Sequence, residues 1–176
     1  MRLNCGCGPQ PVPGWINADR LPLPGVDVVA DIRDGLALPD ACVAYAVAMH
    51  ALQDLPYPDL VPALAELRRV LAPGGVLRLG VPDLQRAIAA YLRDEAAYFH
   101  VPDADAADVG GKLAVQISWY GSVRTPFTWG FAAELCARAG FRDVRRCGYR
   151  TTLSRFPEIV ALDNRERETL FVEATR

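Results

Sequence analysis

Three prolines in five positions, Pro9, Pro11 and Pro13, stand directly behind a short strand that ends in Gly6 and Gly8, and they decide what can follow it. Proline inside a helix removes a hydrogen bond and collides with the preceding turn. The run Leu3-Asn4-Cys5-Gly6-Cys7-Gly8 therefore reads as a strand entering a glycine turn with no helix behind it. Glycine lets a ligand approach the backbone closely and reaches turn geometries that other residues avoid. Asp19 and Asp31 fall at the ends of the next two strands, where a carboxylate can accept from ribose hydroxyls. The order is that of a nucleoside-binding half-fold. The prolines interrupt the G-x-G-x-x-G fingerprint of dinucleotide sites, so no helix N-terminus is expected under a pyrophosphate. That argues against a nicotinamide-dependent oxidoreductase and for a nucleoside ligand without phosphates, of which S-adenosylmethionine is one.

Composition sets the outer bounds. The 176 residues are 51% hydrophobic with a net charge of -2, which excludes disorder and a broad nucleic-acid footprint. No apolar run approaches the ~20 residues of a membrane span, and no charged-then-apolar leader precedes the first strand. The five cysteines are odd in number and unevenly spaced, which suits reduced thiols in a cytoplasm. Cys5 and Cys7 lack a second ligand pair at zinc spacing, so they read as small apolar fillers and no metal is expected. Arg145, Arg146, Arg150 and Arg155 alternate in the manner of a solvated strand face.

Leu67 to Asp83, L-R-R-V-L-A-P-G-G-V-L-R-L-G-V-P-D, closely resembles the helix, turn and fifth strand of class I S-adenosylmethionine-dependent methyltransferases. L-N-C-G-C-G, P-G-W-I-N-A-D, V-V-A-D-I, L-P-D, A-M-H-A-L, V-P-D-L, A-R-A-G-F and R-E-R-E-T-L-F-V-E-A match in order from residue 3 to residue 174. Within that superfamily the chain is similar to a small bacterial group of predicted methyltransferases. The resemblance implies an α/β, Rossmann-like, mostly parallel sheet with helices on both faces and a C-terminal antiparallel hairpin, in one domain over residues 1–176. The N-terminal part is reduced, lacking both the helix after the first strand and the helices that cap the substrate side.

The pattern itself places strands at 2–5, 15–18, 26–30, 42–48, 76–81, 142–149 and 169–174. Leu60, Leu64, Leu67 and Leu71 recur at helical spacing behind Asp59 as a cap, with Pro73, Gly74 and Gly75 ending that helix. Asp83 caps a helix bearing Leu84, Ile88, Tyr91 and Leu92, and Thr128 caps another that Gly140 stops.

The resemblance assigns a cofactor set. Asn4, Gly6 and Gly8 occupy the positions of the family's acidic residue and first two glycines, with Cys5 and Cys7 between them and Gln10 where a third glycine would stand. Asp19, followed by Arg20, falls at the ribose-acid position; Asp31 and Ile32 resemble the adenine pair, although Asp31 can equally cap the turn 31–34. Met49 and His50 close the fourth strand, and Gln53 and Asp54 replace a Glu-His pair common in the family. The sulfonium methyl is already activated, so alignment and water exclusion supply most of the rate. A base is needed only for a hydroxyl or a protonated amine. His50 leads for that role and Asp83 follows, with helix capping as the alternative for Asp83.

The acceptor is expected beneath residues 100–129, which hold His100, Trp119, Tyr120 and Arg124; Trp119, Phe127 and Trp129 can equally fill core under a long loop. The expected activity is methyl transfer to a small molecule or glycan precursor, with that segment or a homodimer closing the open acceptor side. A non-catalytic S-adenosylmethionine-binding or interaction module is the alternative.

Overall fold

The computed structural model describes all 176 residues. Seven strands form one sheet in the order β3-β2-β1-β4-β5-β7-β6: β1 (Arg2–Cys5), β2 (Ile16–Asp19), β3 (Val28–Val29), β4 (Val43–Met49), β5 (Leu71–Pro82), β6 (Arg142–Cys147) and β7 (Thr169–Thr175). β1 to β5 pair in parallel, and β7 runs antiparallel between β5 and β6. The α/β reading and the antiparallel pair at the end of the chain stand. β1 and β2 are linked without a helix, as Pro9, Pro11 and Pro13 dictate, and the β2–β3 link, which holds Pro22 and Pro24, is helix-free as well.

Four helices accompany the sheet: α1 (Tyr57–Val70), α2 (Leu84–Leu92), α3 (Val109–Ser118) and α4 (Trp129–Arg138). Side chains alternate across a strand, so each face has its own core. Leu60, Leu64 and Leu67 of α1 and Ala132 and Leu135 of α4 pack on Leu3, Ala46, Ala48, Leu77 and Leu79. The opposite face carries no α-helix over its core, contrary to the expectation of helices on both. Its Tyr45, Val47 and Val76 are covered by Trp15 and by Ile159 and Phe156 of the segment leading into β7, with Trp15 and Phe156 rings 5.3 and 5.1 Å from Tyr45.

Arg78 of β5 points to that second face and is fully buried. Its Nε donates to Asp163 (2.6 Å), Nη1 to Glu173 (2.8 Å) and the Thr151 carbonyl (3.1 Å), and Nη2 to Asp163 and the Gly148 carbonyl (2.9 Å). Five donors meet five acceptor contacts, which is what permits a guanidinium to be buried.

Several local readings are corrected. α1 begins behind Pro56, so Asp59 lies inside its first turn and does not cap it. The helix stops at Val70, and Ala72 to Gly75 bulge out between the Leu71–Val43 and Val76–Tyr45 pairings. A Cβ on Gly75 would stand 2.8 Å from the Ala72 carbonyl oxygen, so only glycine closes that bulge. The third strand shrinks to two residues at the sheet edge. Residues 109–118, expected within a long loop, form α3, whose buried side chains are Lys112 and Gln116.

Candidate functional site

The turn after β1 is tied to the end of β2. Gly6 and Gly8 both take positive φ, +72° and +53°, and the Gly6 and Cys7 N–H groups donate to the Ala18 carbonyl. Asp19 Oδ2 accepts from Gly8 N–H (2.8 Å) and Oδ1 from Leu21 N–H (2.9 Å). Each oxygen keeps a second lone pair, enough for two ligand hydroxyls. A Cβ on Gly8 would meet nothing within 4 Å, while one on Gly6 would lie 2.4 Å from Ala51 Cβ. The glycine turn is thus open at Gly8 and closed at Gly6 against the residue that follows His50. Burial pushes the Cys5 thiol up to about 12, keeping it protonated.

Other members of the expected cofactor set are engaged elsewhere. Asn4 is buried and its amide donates to Asn17 Oδ1 (3.1 Å), which in turn accepts from Val12 N–H. That pair fixes residues 12–17 and commits the Asn4 amide nitrogen to β2. Asp31 accepts from the Arg33 backbone, Nε and Nη2, the last at 2.6 Å, and this holds its carboxyl at about 2. The turn-capping alternative is therefore realised. Ile32 packs half-buried on the first core, and Arg20 is exposed, its charge acting on both Asp31 and Asp54. Met49 fills the space over Gly80, whose Cβ would sit 2.4 Å from the Met49 sulfur.

At the carboxyl ends of β4 and β5 lies a cavity of about 280 Å³ lined by His50, Gln53, Asp54, Asp83, Tyr98 and Trp119, among others. His50 holds a left-handed φ of +51° and donates its N–H to Gly80. Its Nε2 lies 2.9 Å from Thr169 Oγ1. That hydroxyl has one proton and faces the Arg165 carbonyl at 2.9 Å; with the proton given to that carbonyl, Nε2 carries the imidazole proton and Nδ1 the lone pair. Burial, reinforced by the Arg165 charge, pushes the ring down to about 4, so it is neutral at physiological pH.

Asp83 is 2% exposed and its oxygens are taken: Oδ1 by the Gln85 and Arg86 N–H groups at the start of α2, Oδ2 by Arg146 at 2.9 Å. It lines the cavity as helix cap and as anchor for Arg146, which is thereby more than a solvated strand residue. Of the expected acceptor residues, Trp119 lines the cavity, whereas His100, Tyr120 and Arg124 do not. His100 faces Glu168 at 3.8 Å, Tyr120 donates to Asp105, and the Arg124 N–H donates to the Gln53 carbonyl. Phe127 is core, as the alternative reading had it.

Sequence reasoning did not assign Tyr98, Gln116, Arg165 and Glu168 to the site, though all line the cavity. Glu168 sits in the quoted R-E-R-E-T-L motif. Arg165 opens that same motif, and Tyr98 and Gln116 are brought in by folds of the chain with no local signal.

Residues 3–79 match the methyltransferase domain family. Comparison with curated protein sequences returns no significant match. Among solved structures, an S-adenosylmethionine-dependent methyltransferase from Thermotoga maritima aligns over 99% of this chain and 81% of its own, with a TM-score of 0.59 and 19% identity. One from Mesorhizobium loti aligns over 99% and 90%, with 0.55 and 20%. The Burkholderia thailandensis 1,6-didemethyltoxoflavin-N1-methyltransferase, with bound 1,6-didemethyltoxoflavin and S-adenosylhomocysteine, aligns over 99% and 70%, with 0.56 and 14%. The fold is that of S-adenosylmethionine-dependent methyltransferases. No helix is long and apolar enough to cross a membrane.

Proposed function

From the match of residues 3–79 to the methyltransferase domain family, we propose that the chain transfers a methyl group from S-adenosylmethionine to a small organic acceptor, a free molecule or a glycan precursor, seated in the His50 cavity. The observation that carries this reading is adjacency. Gly6 of the open turn abuts Ala51, the neighbour of His50, so the donor and acceptor sites share one wall.

The residues present fit the cofactor. The Gly8 turn admits a close ligand, and Asp19 retains lone pairs for both ribose hydroxyls. When bound, S-adenosylmethionine supplies a methyl already activated by the sulfonium. The protein's own part is to orient the acceptor, exclude water and take up a proton. His50 Nδ1 holds an acceptor hydrogen; with its ring so far below the ordinary range it orients a neutral nucleophile better than it deprotonates a weak acid. Asp83, with its oxygens committed, works through the cap of α2.

Calorimetric titration with S-adenosylmethionine and S-adenosylhomocysteine tests the reading. The intact protein is expected to bind both in the micromolar range. Asp19→Ala should weaken binding about 100-fold, since two hydrogen bonds to a carboxylate are lost. Binding absent from the intact protein, or indifferent to Asp19, rejects the proposal. The commitment of Asn4 to Asn17 favours a non-catalytic binding module as second reading. Transfer of labelled methyl to any acceptor excludes it.

A further inference from the structure

Gln53 Oε1 is the one buried side-chain polar atom of the molecule without a hydrogen-bond partner. The residue is 5% exposed and lines the cavity beside His50. The orientation of its amide is forced. Nε2 lies 2.6 Å from the His50 carbonyl and 3.2 Å from Asp54 Oδ1, both acceptors, so the NH₂ must face them and the oxygen must be the atom left over. The Gln53 backbone carbonyl is already taken by the Arg124 and Thr125 N–H groups. An unmatched buried acceptor is a standing penalty that an incoming donor removes. With Nε2 protonated, Nδ1 of His50, which lines the same cavity, is a second acceptor. Of the three cavity carboxylates, Asp83 and Glu168 are matched by Arg146 and Arg165, while Asp54 accepts from Gln53 Nε2 and is pushed by burial towards its uncharged form. Trp119, Tyr98, Ile117 and Leu84 give the remaining wall a flat, apolar character.

Resting on the methyltransferase reading above, we propose that the acceptor is a neutral amino group borne on an aromatic ring, its two N–H groups directed at Gln53 Oε1 and His50 Nδ1. Both acceptors together leave the nitrogen lone pair free for the methyl. That lone pair forms the new N–C bond as the C–S bond breaks and its electron pair returns to sulfur. The methylated nitrogen, now a cationic ammonium that is acidic because losing a proton returns its lone pair to conjugation with the ring, sheds that proton through His50 Nδ1 to water. A ring-borne amine is unprotonated at neutral pH and so needs no strong base, in keeping with the low basicity of His50. Gln53 is then a specificity-determining residue that counts hydrogen-bond donors on the ligand.

The test uses the full chain saturated with S-adenosylhomocysteine and three naphthalenes of falling donor count: 1-naphthylamine, 1-naphthol and 1-methoxynaphthalene. Affinity is expected to fall about tenfold at each step as a donor is lost. Gln53→Met should lower naphthylamine affinity about tenfold while leaving methoxynaphthalene within about twofold. Equal or reversed affinities in the intact protein, no binding of the amine, or an amine advantage that survives Gln53→Met overturns the proposal. The ring series on the unaltered protein decides the question even if the variant melts at lower temperature. Failure to bind S-adenosylhomocysteine, read before any ring is added, strikes the methyltransferase reading instead.

Discussion

One sheet meets two coverings of opposite chemistry. On the first face, α1 and α4 lay Leu60, Leu64, Leu67 and Leu135 against the strands. On the second, irregular chain is held by a small aromatic cluster and by Arg78, buried with each donor matched. A helix satisfies its own backbone and needs only an apolar stripe. An irregular segment arrives with free carbonyls, here Gly148 and Thr151, which must find donors once covered. Where helices are lacking, the fold buries charge in their place.

The largest effect expected from breaking this comparison is at Arg78. Arg78→Leu should cost about 3–5 kcal/mol in chemical denaturation, because Asp163 and Glu173 are left buried without a cation. Replacing Arg78, Asp163 and Glu173 together by leucine should recover most of that loss. A triple variant as unstable as the single one would assign the stability to the carbonyl contacts instead of the charge pairing.

Next comes the apolar face. Leu67→Ala is expected to cost about 3 kcal/mol by opening a cavity under α1. It should leave the near-ultraviolet dichroism of the Trp15–Tyr45 pair unchanged, whereas Arg78→Leu should diminish it. Equal loss in both variants would mean that the two coverings are not independent.

The smallest effect concerns His50, where the sheet ends at the cavity. Its ring is held at about 4, below its usual value of 6.5, so the unfolded chain binds a proton that the folded one refuses between those values. Stability from this source is complete above about pH 6.5 and lost as pH falls towards about 4. Between about pH 7 and pH 5.5 the loss should approach 1 kcal/mol, and His50→Gln should remove it, as followed by urea denaturation at each pH. An unchanged slope in that variant would show that the ring titrates normally in the folded protein.

The helix starts at Asp83 and Thr128 were legible because capping is local: each side chain accepts from the N–H two or three residues ahead. The strand series was legible from apolar runs between glycines and prolines. α3 was not, since its inward face carries Lys112 and Gln116, which are satisfied by the Val101 carbonyl and the His100 N–H. At the site, the Gly6–Gly8 turn, Asp19 and His50 could be named from sequence. The Asp31 turn with Arg33 was the alternative reading of that residue.

Chain order, the helix-free links between the first three strands and the glycine turn follow from the sequence by itself, because proline, glycine and apolar period act on neighbouring residues. Arg78 shows the limit. Within Leu77-Arg78-Leu79 it has the pattern of a solvent-facing strand residue, yet Asp163 and Glu173, 85 and 95 residues away, make its burial possible. The same holds for Gln53, whose unmatched oxygen exists only because His50 and Asp54 claim its amide nitrogen inside a closed wall. A polar side chain can be buried only where partners converge on it, and that convergence belongs to the tertiary structure.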